Sequence, residues 1–157
     1  MKFNPLAFII NIAIPLAAGV LGSLFTIQSV NTWYKTVNKP SFNPPDSIFQ
    51  PVWIAIFVLI GIASYRIWQR RNHIASFPRT VAIYAMQLIL NIMWSFIFFR
   101  THDIGLALFE IIIFLIIIVI NARVFYKIDK TAGLLFIPYI LWVSFATILN
   151  YNIFILN

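Results

Sequence analysis

The chain has 157 residues, of which 62% are hydrophobic and 10% are charged, and it carries a formal net charge of +7. So much apolar surface excludes a water-soluble globular domain, and the lack of cysteine excludes a disulfide framework, a thiolate metal site and a cysteine nucleophile. We therefore predict an all-α integral membrane protein made of a single domain, residues 1–157.

Five segments of the chain are long and apolar enough to cross a bilayer, which requires about 20 residues of helix. In chain order they cover residues 6–28, 48–68, 80–99, 104–126 and 132–156. None alternates polar with apolar residues as a barrel strand does, so helices are favoured over strands. The expected fold is a bundle of five transmembrane helices.

The first segment resembles a signal peptide in one respect, since an apolar run follows Met1 and Lys2. The run extends well beyond the usual hydrophobic region of such a peptide, so a transmembrane helix is favoured. Small residues at positions 18, 19, 22 and 23 suit close helix packing. They can contact a second subunit or pack within the bundle, and the sequence leaves both alternatives open.

The first loop, residues 29–51, is long for a protein whose other connections are short. It is rich in proline, which lowers the entropy of the unbound loop, and in aromatic residues, which supply rigid apolar faces. The loop can therefore form an ordered lid with Lys35 and Lys39 at its rim. An interfacial aromatic belt is the alternative reading. The aromatic residues concerned are Trp33, Tyr34, Phe42 and Phe49.

The third helix has a polar and aromatic face inside the membrane. Steps of three and four residues place its members within an arc of about 100°. Amide side chains at such depth need partners, so this face must meet other helices or a cavity. Hydrogen bonding between helices is the purely structural alternative. The face consists of Tyr84, Gln87, Asn91, Trp94, Ser95 and Phe98.

Residues of the third and fifth helices are expected at common depths. Counting about 1.5 Å per residue from the outer helix ends pairs Gln87 with Trp142 and Asn91 with Ala146. These levels predict a cavity that opens toward the first loop and accepts a flat, mostly apolar ligand. Two further residues lie at the lid side of the same region, Trp53 and Asn150.

Glu110 is the one carboxylate well inside a predicted span. Because a buried charge is costly, we expect it to be protonated or hydrogen bonded. The short connection between the third and fourth helices places it opposite the level of Asn91 and Trp94. A structural partnership with those side chains is favoured over a proton-relay role.

The two histidines, His73 and His102, both fall in predicted loops. A solvated side chain is the favoured interpretation for each, ahead of a metal ligand. We therefore predict no protein-bound metal and no required cofactor.

The basic residues divide unequally between the two sides of the predicted membrane, eight against three. By the positive-inside rule, the amino terminus and the second and fourth loops face the cytoplasm, and the carboxyl terminus faces outside. We therefore attribute the net positive charge to membrane topology and not to nucleic-acid binding. Attraction to anionic lipid is a smaller contribution. Five apolar helices favour a bacterial inner membrane. The majority side has Lys2, Arg66, Arg70, Arg71, Arg79, Arg123, Lys127 and Lys130, and the other has Lys35, Lys39 and Arg100.

Motifs along nearly the whole chain carry a family resemblance. They are Trp33-Tyr34, Lys39-Pro40-Ser41-Phe42, Pro44-Pro45, Phe49 and Pro51-Val52-Trp53 at the first loop; Tyr84, Gln87-Leu88, Asn91, Trp94-Ser95 and Phe98-Phe99 in the third helix; Ala107-Leu108 and Glu110-Ile111 in the fourth; and Gly133-Leu134-Leu135, Pro138-Tyr139, Trp142, Phe145-Ala146 and Leu149-Asn150 in the fifth. In this order they resemble the tryptophan-rich sensory protein and translocator protein family (TspO/MBR).

The resemblance implies a five-helix bundle, often a homodimer, that binds protoporphyrin IX, haem-type tetrapyrroles and drug-like aromatic ligands of the benzodiazepine or isoquinoline carboxamide type. It also implies, for some members, light-dependent degradation of protoporphyrin by two pocket tryptophans, here Trp53 and Trp142. With the residues above, the expected ligand site comprises Tyr34, Pro40, Pro44, Trp53, Tyr84, Gln87, Asn91, Trp94, Trp142, Phe145, Ala146 and Asn150, with Pro40 and Pro44 in the lid.

The sequence departs from the family at one point. Animal members carry a cholesterol-recognition pattern at the end of the last helix, with a basic residue after the tyrosine. Here residues 152–157 follow Tyr151 and include no basic residue. We assign no sterol site.

Three functions remain open from the sequence. The leading hypothesis is a tetrapyrrole-binding sensor or translocator-like regulator in which Trp53 and Trp142 sandwich the macrocycle and Lys35 or Lys39 pairs with its propionates. The second is light-dependent porphyrin degradation. The third, a carrier of lipid or small molecules, is weaker because no internal repeat is found. Membrane lipid and a second copy of the chain are the other expected partners.

Overall fold

A computed structural model describes residues 3–157 of the chain. Over that range it is helical, with no strand. The helices are α1 Pro5–Val30, α2 Trp33–Thr36, α3 Asp46–Gln69, α4 Phe77–Ser95, α5 Ile104–Ile128, α6 Lys130–Leu134 and α7 Ile137–Leu156. A 3₁₀ turn, Arg71–His73, follows α3, and a π-helical turn, Phe96–Arg100, continues α4.

Five of these segments are long and apolar enough to cross a membrane. The third is α4 with its π-helical turn, Phe77–Arg100, and the fifth is α6 with α7, Lys130–Leu156. The predicted all-α bundle of five transmembrane helices is therefore confirmed. The fifth span differs in detail, because it bends between α6 and α7 and is not one continuous helix.

Local sequence explains where several helices begin. The side chain of Asn4 accepts a hydrogen bond of 3.0 Å from the amide of Ala7, and Pro5 occupies the first position of α1. Asp103 caps α5 in the same way, with 2.8 Å to the amide of Leu106. Pro138 lies at the start of α7, where its missing amide hydrogen removes no helical bond.

The five spans form a ring. α1 packs between α3 and α4, α4 packs on α5, and α5 packs on α7. The ring closes where α6 meets α3. Away from that contact the backbones of α3 and α7 have few close approaches, and aromatic side chains bridge the two helices. The interface between α3 and α7 is therefore the loosest seam of the bundle, and it lies below the first loop.

The small residues of α1 pack inside the bundle. A side chain at Gly19 would collide with the ring of Phe57, and one at Gly22 would lie 3.2 Å from the hydroxyl of Ser95. Ala18 is buried in the main core. Of the two alternatives that the sequence left open, intramolecular packing accounts for these three residues, so they are not available as a dimer face.

Candidate ligand site beneath the first loop

The first loop is ordered by the burial of Tyr34. Its hydroxyl donates a 3.1 Å hydrogen bond to Asn43, and the ammonium of Lys39 lies 4.4 Å from its ring centroid. Burial of the hydroxyl, together with the negative charge of Asp46, raises the pKa of Tyr34 to about 12. The phenol therefore stays protonated and keeps donating, which holds two parts of the loop together.

The loop is also fastened to the ends of the third and fifth spans. Two hydrogen bonds join Asn38 to Asn157. The backbone amide of Asn38 donates to the side-chain oxygen of Asn157 at 3.0 Å, and the side-chain nitrogen of Asn157 donates to the backbone carbonyl of Asn38 at 2.9 Å. The ring of Trp33 stacks on His102 at 4.1 Å, and Phe42 meets Phe145 edge to face at 6.4 Å. These contacts agree with the interpretation of the loop as a lid. His102 is exposed, but its ring stacks on Trp33, which the sequence did not suggest.

Two pairs of aromatic rings bridge α3 and α7 directly below the loop. Trp53 of α3 lies edge to face with Tyr139 of α7 at 6.1 Å, and Phe49 of α3 lies similarly against Trp142 of α7 at 5.7 Å. Trp53 also stacks on Phe57 at 5.5 Å. The structure thus brings both predicted tryptophans to one interface. These rings contact one another in the region where the sequence predicts a cavity.

A buried polar cluster adjoins these rings. The hydroxyl of Tyr139 donates to the Gln87 carbonyl oxygen at 2.9 Å and accepts from the Asn91 amide at 3.4 Å. Nearer the lid, the indole of Trp94 donates to Asn150 at 3.1 Å. Part of the polar face of the third span is therefore used for bonding between helices, the structural alternative that the sequence left open.

Several buried polar atoms of this region have no hydrogen-bond partner among the described residues. They include the amide nitrogen of Gln87, the indole nitrogen of Trp142 and both carboxyl oxygens of Glu110. The expected partnership of Glu110 with Asn91 and Trp94 is wrong, because those side chains bond to Tyr139 and Asn150 instead. Unpaired buried groups are uncommon in folded proteins, so they mark positions where a further polar partner fits.

The other residues predicted for the ligand site fall in three places: the lid, the core beside Trp142, and a position apart from the polar cluster. Pro40 and Pro44 are half-buried in the lid, and the Pro40 carbonyl accepts a 3.0 Å hydrogen bond from Asn43. Ala146 packs against the core one turn beyond Trp142. Tyr84 lies apart, since its hydroxyl donates to the Ile60 carbonyl at 3.4 Å.

The two lysines at the rim of the lid differ in their surroundings. Lys39 donates to the Val37 carbonyl at 3.2 Å in addition to its contact with the Tyr34 ring. Lys35 is exposed on α2. Both are therefore held on the lid, and Lys35 has the greater freedom to reach a ligand. No cluster of three or more potential metal-ligating side chains occurs within residues 3–157.

A groove of about 360 Å³ opens the seam between α3 and α7 to the membrane side. Its walls are almost entirely apolar. It could not be predicted from the sequence, because it depends on the spacing of the two packed helices. The lining residues are Val52, Ala55, Ile56, Leu59, Pro138, Leu141 and Trp142.

Five apolar spans, with several tryptophans gathered in the half next to the first loop, define the class as a multi-pass integral membrane protein. The TspO/MBR family profile matches residues 11–156, and the chain belongs to that family.

Relatives from distant organisms support the assignment. The chain is 40% identical over 154 residues to the tryptophan-rich protein TspO of Archaeoglobus fulgidus, covering 98% of this chain and 99% of the relative. It is 38% identical over 150 residues to the protein of the same name from Chlorobaculum tepidum, covering 93% and 92%. It is 31% identical over 143 residues to the bovine translocator protein, covering 88% and 83%.

Proposed function

We propose that the protein binds a flat tetrapyrrole of the protoporphyrin IX or haem type beneath the first loop, and that it acts as a sensor or translocator-like regulator of porphyrin metabolism. The observation that carries this proposal is the seam between α3 and α7, where Trp53 and Trp142 meet and where the indole nitrogen of Trp142 and the amide nitrogen of Gln87 are buried without a hydrogen-bond partner among residues 3–157. Relatives named tryptophan-rich sensory protein and translocator protein support the regulatory role.

Aromatic rings at the seam supply the affinity in this proposal. A macrocycle enters when the Trp53–Tyr139 and Phe49–Trp142 ring contacts separate, and it replaces them with stacking on larger faces. The Trp142 indole and the Gln87 amide then donate to acceptor atoms of the ligand. Lys35 and Lys39, at the lid, are suited to pair with the propionates.

Iron is not required for recognition in this proposal. Both histidines of the chain lie outside the spans, at the loops, and the sequence contains no cysteine. The usual histidine and cysteine axial ligands are therefore missing beside the seam. Metal-free protoporphyrin IX should bind about as well as the iron form.

The direct test is a titration of the purified protein with protoporphyrin IX in the dark, followed by tryptophan fluorescence. We expect saturable quenching, and we expect Trp142→Phe to weaken binding by about three- to tenfold, because it removes stacking area and a buried donor. Trp68→Phe is the matched control, since Trp68 lies under Arg71 at the opposite end of the bundle. Equal affinities of the two variants would contradict the site.

A second candidate function is light-dependent degradation of the bound porphyrin. It is favoured by the position of both tryptophans at one interface, where each can contact the same excited ligand. Illumination of the complex should bleach the porphyrin faster than illumination of free porphyrin in the same detergent. Equal bleaching rates would leave binding as the function.

A carrier function for lipid or small molecules is the other alternative. The apolar groove between α3 and α7 favours it, because a solute dissolved in the membrane reaches Trp142 from the side. Uptake of labelled ligand into sealed vesicles tests this. Accumulation above that in protein-free vesicles would support transport, and equal partitioning would count against it.

A further inference from the structure

A second groove, of about 520 Å³, lies at the other end of the bundle. One wall is formed by the end of α3 and the loop after it, with Arg70, His73 and Ala75. The other wall is the end of α5, with Lys127. It is remote from the tryptophan seam, and the proposed tetrapyrrole site does not use it.

Positive charge is in excess at this groove. Asp129, directly after α5, is held by Arg66 at 2.9 Å and by Arg70 at 2.6 Å, so two guanidinium groups share one carboxylate. The other acidic residues of the chain are at positions 46, 103 and 110, at the lid end or within the fourth span. Lys127 therefore adds to a charge that no second carboxylate balances.

The arginine of this groove is fixed in place. Arg70 donates a 2.9 Å hydrogen bond to the Ile128 carbonyl and pairs with Asp129, so it ties the end of α3 to the end of α5. Burial of the Asp129 carboxyl opposes ionisation, but hydrogen bonds from Arg66 and the Ala132 amide lower the pKa of Asp129. The carboxylate thus stays charged at neutral pH and keeps Arg70 in one rotamer, which reduces the entropy that a ligand must remove.

We propose that this groove binds a phosphate group, carried either by the headgroup of an anionic phospholipid or by a soluble phosphate ester. Arg70, Lys127 and His73 all line the groove, and guanidinium, ammonium and imidazole N–H groups are donors suited to phosphate oxygens. The positive-inside rule explains why this end is basic. It does not explain a groove with a pre-positioned arginine, whereas basic pockets between transmembrane helices commonly receive lipid headgroups. Ile74 and Ile128, also in the lining, suit the apolar part of a lipid next to its headgroup.

Binding of phosphatidylglycerol in mixed micelles, with phosphatidylcholine micelles as the reference, tests the proposal on the full-length protein. Lys127→Gln should weaken binding about fivefold. Arg123→Gln is the matched control, because Arg123 is an exposed cation on the same helix that does not line the groove. We expect less than a twofold effect from it. Thermal unfolding of each variant checks that the fold is retained.

Ala75→Glu provides a second, independent variant, since it places a carboxylate in the groove without removing a cation. We expect it to abolish the preference for phosphatidylglycerol. Competition by glycerol phosphate would identify a site for soluble phosphate esters, and its failure to compete would identify the lipid headgroup; both agree with the proposal. Equal losses in Lys127→Gln and Arg123→Gln would overturn it, because they indicate diffuse attraction to the membrane surface.

Discussion

At the scale of single residues, the buried amide side chains of the third and fifth spans bond to aromatic side chains of the facing helix. Gln87, Asn91 and Asn150 are buried as their depth in the spans predicts. The partner of Glu110 was predicted wrongly, because hydrogen bonds between helices depend on the rotation of each helix about its axis. A hydrophobic sequence constrains that rotation weakly, since both the core and the lipid accept apolar side chains.

Asp129 offers a prediction at this scale. Asp129→Asn should lower the free energy of unfolding by about 1–3 kcal/mol, because it leaves Arg66 and Arg70 without their shared carboxylate. Asp46→Asn is the control, since Asp46 is exposed in the first turn of α3. Thermal or denaturant unfolding in detergent measures both. An effect of Asp129→Asn no larger than that of the control would show that the two ion pairs contribute little.

The same carboxylate predicts a pH dependence. The pKa of Asp129 is lower in the folded protein than its ordinary value of 3.8, so its contribution is complete well above pH 3.8 and is lost as the pH falls through the folded value. The wild-type protein should therefore lose stability below about pH 4 more steeply than Asp129→Asn. If the stability of both proteins fell in parallel with pH, the conclusion that Asp129 is charged in the folded protein would be contradicted.

At the scale of elements, hydropathy identified all five spans, with ends that differ from those of the structure by at most three residues. α4 begins at Phe77, ahead of the predicted residue 80, because Pro78 and Arg79 form a polar first turn outside the apolar run. The π-helical turn at Phe96–Arg100 depends on packing, and the break before α7 depends on Pro138. Neither feature changes the spacing of apolar residues, so hydropathy does not predict it.

The contact between α1 and α3 can be tested through Gly61. A side-chain carbon there would lie 2.8 Å from the Ile12 backbone, so Gly61→Ala should force the helices apart and destabilise the protein by about 1–3 kcal/mol. Gly105→Ala is the matched control, since its nearest neighbour is the movable ring of Phe154 at 3.1 Å. A melting temperature unchanged by Gly61→Ala would contradict the packing described.

The attachment of the lid to α7 gives a second prediction for an element. Asn157→Ala removes the hydrogen bonds to the backbone of Asn38 and should increase proteolytic cleavage within residues 38–45 by about fivefold. Asn152→Ala is the control, because the Asn152 amide bonds only to Ile148 within its own helix. Equal cleavage of the two variants would mean that the hydrogen bonds between Asn157 and Asn38 contribute little to holding the lid.

At the scale of the whole molecule, the two ends of the bundle differ in chemistry. At the lid end, tryptophans meet at the seam beside buried donors that have no hydrogen-bond partner among the described residues. At the opposite end, two arginines surround one carboxylate. The sequence predicted this asymmetry through its loop charges and its aromatic first loop. It did not predict that the rings below the lid would pack against one another, because ring contacts depend on side-chain rotamers and on the spacing of α3 and α7.

The central claim, a tetrapyrrole held between Trp53 and Trp142, is tested most directly by circular dichroism in the Soret band. Protoporphyrin IX is achiral and gives no signal when it merely dissolves in detergent, so a signal reports a macrocycle fixed in a chiral protein site. We predict a saturable signal with the wild-type protein and with Trp68→Phe, and its loss in the double variant Trp53→Phe/Trp142→Phe. A signal of equal strength in the double variant would contradict the proposed site.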